Sequence, residues 1–256
     1  YPVDKGSGAT TSLVEADGIV EVDPDTEALA AGEAVEVQLF APDVQPPAVL
    51  VVGEDDPALS RLLDGVERPR FLPVGSREGL RRLRDGIPDV AVVAGPTERE
   101  VDSVNLGGWS REWGLVVPTG NPDDVSGLAD LVDRDRRFVN RDRASGLRIA
   151  LDRALADLAA DRDEPRADLT DAIAGYGRAA KAHESPARAV AAGRADVGLG
   201  LRATAESLGL GFVPLGDQRV RLLANPERVA KPGVESPGET VDDVDALLDG
   251  LAGYGA

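Results

Sequence analysis

The sequence predicts an α/β protein with mainly parallel sheets, preceded by part of a small β domain. Three observations carry that prediction. From residue 49 onward, short apolar runs alternate with stretches whose apolar residues recur three and four apart, the mark of strands alternating with helices. Ahead of them, Gly18–Val22 and Ala34–Phe40 alternate apolar and polar residues, as half-buried antiparallel strands do. Between the two patterns lies APDVQPPA (41–48), whose three prolines mark a boundary. The domains are therefore 1–41, a linker at 42–48, and 49–256.

The strand candidates after the linker are 48–52, 70–74, 89–94, 114–117, 137–139, 172–176, 195–201 and 211–215. Leu147, Leu151, Ala154, Leu155 and Leu158 share one helical face, and so do Val241, Val244, Leu247, Leu248 and Leu251. GLVVPTGNP (114–122) ends in turn chemistry and suits a crossing between lobes. In parallel sheets ligands gather beyond the carboxyl ends of strands, where helix N-termini present free N–H groups.

Composition excludes several classes of function. Acidic residues outnumber basic ones 46 to 28, for a net charge of −18, which argues against nucleic acid and anionic membranes as partners. Lysine occurs only at Lys5, Lys181 and Lys231. An acid-rich, lysine-poor chain resembles the proteins of extreme halophiles, so the charge speaks of salinity rather than of a ligand. There is no cysteine, which removes disulfides, thiolate metal sites and cysteine nucleophiles. With one histidine besides, a metal site has almost no support. No apolar run is long enough to span a membrane, so a cytoplasmic location is expected. The chain has no methionine and is expected to be a fragment of a longer protein.

Four turns are candidates for a site. Gly53-Glu54-Asp55-Asp56-Pro57 has a good N-cap in Asp56 and Pro57 in the first turn, but its acids would repel an anion, which leaves it a capping role. Val74-Gly75-Ser76 offers a close backbone approach and a hydroxyl, and Ser76 equally suits a cap for a helix ending near Gly86. FVNRDRASGLRIALDRAL (138–155) places Asn140 and Arg141 at a strand end, Ser145 and Gly146 in the turn, and Arg148 in the first helical turn. Ser145, Gly146 and Arg148 supply a hydroxyl, open backbone and a forked cation, a cradle for an anion. The alternative is an N-cap plus an arginine pairing with Asp142 or Asp152. The fourth turn runs from Gly175 to a helix start at Ser185-Pro186, with His183 just before it. No nucleophile–histidine–acid pattern, Gly-x-Ser-x-Gly or Walker A loop occurs.

Two stretches carry family resemblances. KGSG (5–8), SLVEADG (12–18) and LAAGEAVEVQLF (29–40) resemble the end of the C-terminal β domain of MoeA/gephyrin-type molybdopterin molybdenumtransferases. VGSREGLRRLRDG (74–86), REWGLVVPTGNP (111–122), FVNRDRASGLRIALDRAL (138–155) and AVAAGRADVGLGLRATAESLGLGFVPL (189–215) resemble a type II periplasmic-binding-protein-like domain found fused to MoeA-type or regulatory modules. The resemblance implies two lobes, one of about 49–117 and 216–256 and the other of about 118–215, with a ligand in the cleft. It implies molybdate, tungstate or a molybdopterin-type ligand, not covalently bound, on Ser76, Asn140, Arg141, Ser145, Gly146, Arg148, His183 and Ser185. The family's Gly-Ser-Gly-Thr-Arg run is Ala144-Ser145-Gly146-Leu147-Arg148 here, so the threonine donor is lost. Its His-Thr-His segment is Ala182-His183-Glu184. Its Gly-Ser-like first turn is Gly53-Glu54. Metal insertion belongs to upstream MoeA catalytic domains in the same chain, so this part is expected to be non-catalytic by itself. The alternatives are a degenerate structural or homodimer-forming domain, or the effector domain of a transcription regulator, against which residues 2–40 argue.

Overall fold

The computed structural model describes residues 16–30, 33–45, 47–96, 101–234 and 244–256. KGSG at 5–8, the start of SLVEADG and Val241 lie outside them. The described residues divide into two compact units, one within 16–45 and one running from Pro47 to Ala256.

In the first unit, β1 (Gly18–Val20) pairs antiparallel with β2 (Val37–Leu39), Ile19 opposite Gln38. The strands were expected to be half-buried, and they are mostly exposed: Ile19, Val37 and Leu39 all lie open. Two three-residue strands make a ribbon with no layer of their own to cover.

The second unit is built on a nine-stranded sheet. Its first half holds β3 (Val49–Gly53), β4 (Pro69–Leu72) and β5 (Val90–Ala94), with β3 parallel to both neighbours. Its second half holds β7 (Phe138–Arg141), β8 (Ala179–Ala180) and β9 (Val197–Leu201), with β7 parallel to both neighbours. Two long antiparallel strands join the halves, β6 (Val104–Val117) and β10 (Gly211–Ala224). β10 reaches β5 through Val220–Ala224, while β6 reaches β9 through Trp113–Val116. A short β11 (Tyr254–Gly255) adds to β6. Parallel pairing is thus confined to the outer strands and the sheet is mixed. One strand expectation fails: Ala172 ends a helix and 173–177 form a bend and turn, in which Gly175 has φ +94° and lies so close to Phe138 that a Cβ would be 2.2 Å from its carbonyl oxygen.

Helices follow the strands as expected. α1 (Pro57–Asp64) is capped by Asp56, which accepts from the Ala58 N–H. α2 is Ser76–Arg84. α3 (Leu128–Asp133), α4 (Gly146–Arg162), α5 (Arg166–Ala172), α6 (Ser185–Ala191) and α7 (Arg202–Ser207) cover the second half, and α8 (Val244–Leu248) returns to the first. Each half has its own core. One centres on Leu59, Val92, Trp109 and Leu222, the other on Leu115, Phe138, Leu151 and Leu199. The ends of β3, β5 and β7 and the starts of α2 and α4 meet where the halves face each other.

Gly79 lets α2 approach β3: a Cβ there would lie 2.8 Å from the Gly53 Cα. Gly79→Ala therefore pushes the helix off backbone that cannot yield. A loss of about 1–3 kcal/mol in denaturant unfolding is expected.

Candidate functional site

Arg111 lies at the middle of β6, where the crossing strands pass between the halves, and it is fully buried. A guanidinium there needs acceptors all round. Its Nη1 donates to Asp56 Oδ2 at 2.8 Å and its Nη2 to Glu54 Oε1 at 3.1 Å. Nε and Nη2 both reach Gln218 Oε1, at 3.2 and 2.7 Å. Tyr254 donates its hydroxyl to Asp56 Oδ2 at 3.0 Å.

The Glu54 carboxylate gathers hydroxyl and backbone donors from both serine turns. Oε2 accepts from the Ser76 N–H at 3.2 Å, the Ser76 hydroxyl at 2.8 Å and the Gly146 N–H at 2.8 Å. Oε1 accepts from the Ser145 hydroxyl at 3.0 Å as well as from Arg111. Burial pushes this carboxyl up, but Arg111, Arg141, the Gly146 N–H and Ser76 outweigh it and hold it below the ordinary carboxylate range. The helix starts expected to cradle a ligand anion are thus closed on a carboxylate of the chain itself. The acidic first turn does not repel that cradle; it fills it.

These bonds also join the halves. Ser145 and Gly146 belong to the second half, Glu54 and Ser76 to the first. Gln218 Nε2 donates to the Gly146 carbonyl at 2.9 Å, and the Arg77 N–H to the Ala144 carbonyl at 3.2 Å. Gly75 has φ +82° and its absent Cβ would meet Ala144 at 2.6 Å, so the turns touch through backbone. The two halves are closed on each other.

A cavity of about 320 Å³ opens beside this junction. Arg82, Arg141 and Lys181 line it together with Asp55, Glu78 and Asp142, and Ser145 forms part of its wall. Arg141 is 2% exposed. Its Nη2 donates to the Lys181 carbonyl at 2.9 Å, while Nε and Nη1 have no hydrogen-bond partner. Burial holds its pKa below the ordinary guanidinium range; Glu54, Asp55 and Asp142 offset this only in part. His183 Nδ1 lies 2.9 Å from Asp55 Oδ2, and its backbone N–H reaches the same oxygen at 3.2 Å. Burial pushes the Asp55 carboxyl up, and His183 and then Arg141 bring it below its usual range.

The predicted residues therefore separate. Arg141 and Ser145 line the cavity. Ser76 and Gly146 sit beneath it on Glu54. His183 stands on Asp55. Asn140 is buried and donates to the Tyr176 carbonyl, a structural role. Arg148 turns away: its Nε donates to Asp152 Oδ1 at 2.9 Å and its guanidinium stacks 4.2 Å over the Tyr176 ring. That is the pairing with Asp152 weighed from the sequence. Ser185 only opens α6, and Ser76 is not an N-cap, since Gly75 holds that position without a side-chain bond. Ser145 does cap α4, accepting from the Leu147 N–H. Sequence reasoning missed Glu54 as an acceptor, and Arg111 and Gln218 altogether. The available signal was an arginine inside the aromatic strand WSREW, downstream of an unexplained acidic turn.

The family described as the PBP superfamily domain matches residues 59–237. The chain belongs to the PBP superfamily. Residues 1–40 match the MoeA C-terminal region (domain IV), so a MoeA C-terminal part is joined here to a PBP superfamily domain. An uncharacterized protein of Bacillus subtilis (strain 168), YvgK, is 32% identical over 146 residues, 56% of this chain. The chain spans 44% of the length of YvgK. Among solved structures, the sulfate-binding protein SubI from Mycobacterium tuberculosis H37Rv superposes with a TM-score of 0.56 at 14% identity, covering 80% of this chain and 85% of SubI. The reduced regulatory domain of OxyR2 from Vibrio vulnificus gives 0.53 at 14% identity, covering 77% and 94%. Both likenesses are of fold. Among the described residues, no helix is long and apolar enough to cross a membrane, and no cluster of histidine, cysteine or acidic residues has the form of a metal site.

Two outcomes test the buried network of this PBP domain. Arg111→Leu leaves Glu54 and Asp56 facing each other without their cation, and a loss of about 3–5 kcal/mol is expected in denaturant unfolding. The Glu54 carboxyl is held below its ordinary value of 4.5, so its contribution to stability is complete above that pH and is lost as pH falls through the lowered folded value. Melting temperatures of the wild type should fall more steeply below pH 4.5 than those of Glu54→Gln, and parallel profiles would refute the assignment.

Proposed function

We propose that this chain is a ligand-binding and regulatory module of a molybdenum cofactor biosynthesis protein, and that its cleft takes a molybdopterin-type ligand. The observation that carries the reading is Arg141, a buried cation lining the cavity with two N–H groups unpartnered. An anionic group beside it, such as a phosphate, relieves a buried charge that its acidic neighbours offset only in part. The acidic neighbours fit the rest of such a ligand. A pterin ring presents an amino group and a ring N–H that donate to a carboxylate, and Asp55, Glu78 and Asp142 line the cavity. Its volume suits a small organic molecule.

Bare molybdate or tungstate fits this geometry less well. A tetrahedral oxyanion needs donors on every side, and the hydroxyls of Ser76 and Ser145 are committed to Glu54. The joined MoeA C-terminal region supports placing the ligand near metal insertion, or reporting cofactor status to it. A second reading, a degenerate domain that stabilises its host, is favoured by the same Glu54 bonds, which close the halves with no ligand required.

Calorimetric titration in molar KCl separates these readings. A molybdopterin compound should bind, and Arg141→Ala should weaken it at least about tenfold, the loss of a charge-assisted pair. Molybdate, tungstate and sulfate should give no heat. Molybdate binding that survives Arg141→Ala would overturn the site. Silence for every ligand, with the protein folded, would leave the structural reading.

A further inference from the structure

The Glu54 carboxylate has the surroundings of a bound ligand. Five donors converge on its two oxygens: two hydroxyls, two backbone N–H groups at the starts of α2 and α4, and one guanidinium. The donors come from three separated segments, and the acceptor reaches them from a fourth. The carboxylate is fully buried. The flanking geometry is built to the same purpose. Ser76 Oγ accepts from the Ala94 N–H at 3.0 Å, which commits its hydroxyl proton to Glu54. Gly146 lies so close to Ala94 that a Cβ would come within 2.7 Å, so the α4 start is pressed against the first half.

We propose that Glu54 is a built-in ligand: its carboxylate occupies an oxyanion seat between the two halves, holds them closed, and makes the domain blind to free sulfate- and molybdate-type anions. Specificity for small inorganic anions is then decided by one side chain. Closure does not wait for a ligand, because the anion that bridges the halves is covalently attached to one of them. The inference goes beyond the pterin reading and does not depend on it, since the seat lies beneath the cavity and its test uses no cleft ligand.

Truncation to alanine removes four heavy atoms from Glu54, the same four that make up acetate. Glu54→Ala should therefore regain its anion from solution. The full chain is melted in molar KCl with acetate, formate or sulfate replacing part of the chloride at constant ionic strength. Glu54→Ala should melt well below the wild type, and each anion should raise its melting temperature saturably, by about 5–10 °C at a hundredfold excess over Kd. Wild type should show only the general, non-saturating shift that such salts exert on any folded protein. Glu54→Gln, whose amide still fills the seat, should show the same small shift and no saturable one. Adding Ser145→Ala to Glu54→Ala should weaken the rescue. If Glu54→Ala does not fold in chloride, recovery of its folded signal in acetate supports the proposal equally. No rescue in any anion, equal shifts in all three proteins, or a Glu54→Ala chain that stays unfolded in every anion would each overturn it.

Discussion

Everything at the junction of the two halves depends on neutralising Arg111. A guanidinium with no exposure cannot rely on water, and in a medium of low dielectric an unbalanced charge is far more costly than at a surface. The fold answers with two carboxylates from one turn, Glu54 and Asp56, and an amide from the opposite crossing strand. Two acids around one cation leave an excess of negative charge. That excess is taken up by the second group of donors on Glu54 and by Arg141 nearby. The network is therefore a sequence of obligations: the crossing strand supplies a cation, the β3 turn answers it, and the two serine turns answer the β3 turn. Closure of the halves is a by-product of charge satisfaction.

The alternation of strands and helices after the proline-rich boundary was legible because each element carries its own period. The turn at Ser145 was also legible: a serine and a glycine after a short apolar strand do cap α4 and do direct donors at one acceptor. What could not be read was the acceptor. Glu54 stands 91 residues from Ser145, and nothing local links them. The same distance problem hid the length of β6. Its apolar run is plain only at 114–117, since Asn105, Ser110, Arg111 and Glu112 break the pattern, and its full extent is set by pairing with β10 over most of its course. Arg148 misled for a local reason. Its position in the first helical turn suits an anion, but an acid four residues on and an aromatic ring alongside offer a nearer partnership.

The chain is strongly acidic, yet the junction between its two halves is close to balanced. Negative charge spread along a chain is carried by water and salt, whereas charge in the interior must be matched residue by residue. Composition alone therefore says nothing about the cleft. In the cavity Arg82, Arg141 and Lys181 are set against Asp55, Glu78 and Asp142, three cations to three anions.

The Glu54 seat also has a genetic reading. A glutamate codon lies one base from codons for alanine and for glycine. A domain whose anion comes attached, and one that must collect it from its surroundings, are thus neighbours in sequence space, with the serine turns, the crossing arginine and the sheet unchanged between them. Within a fold shared with a sulfate-binding protein and a regulatory domain, the step from constitutive closure to closure on demand is as short as a coding change can be.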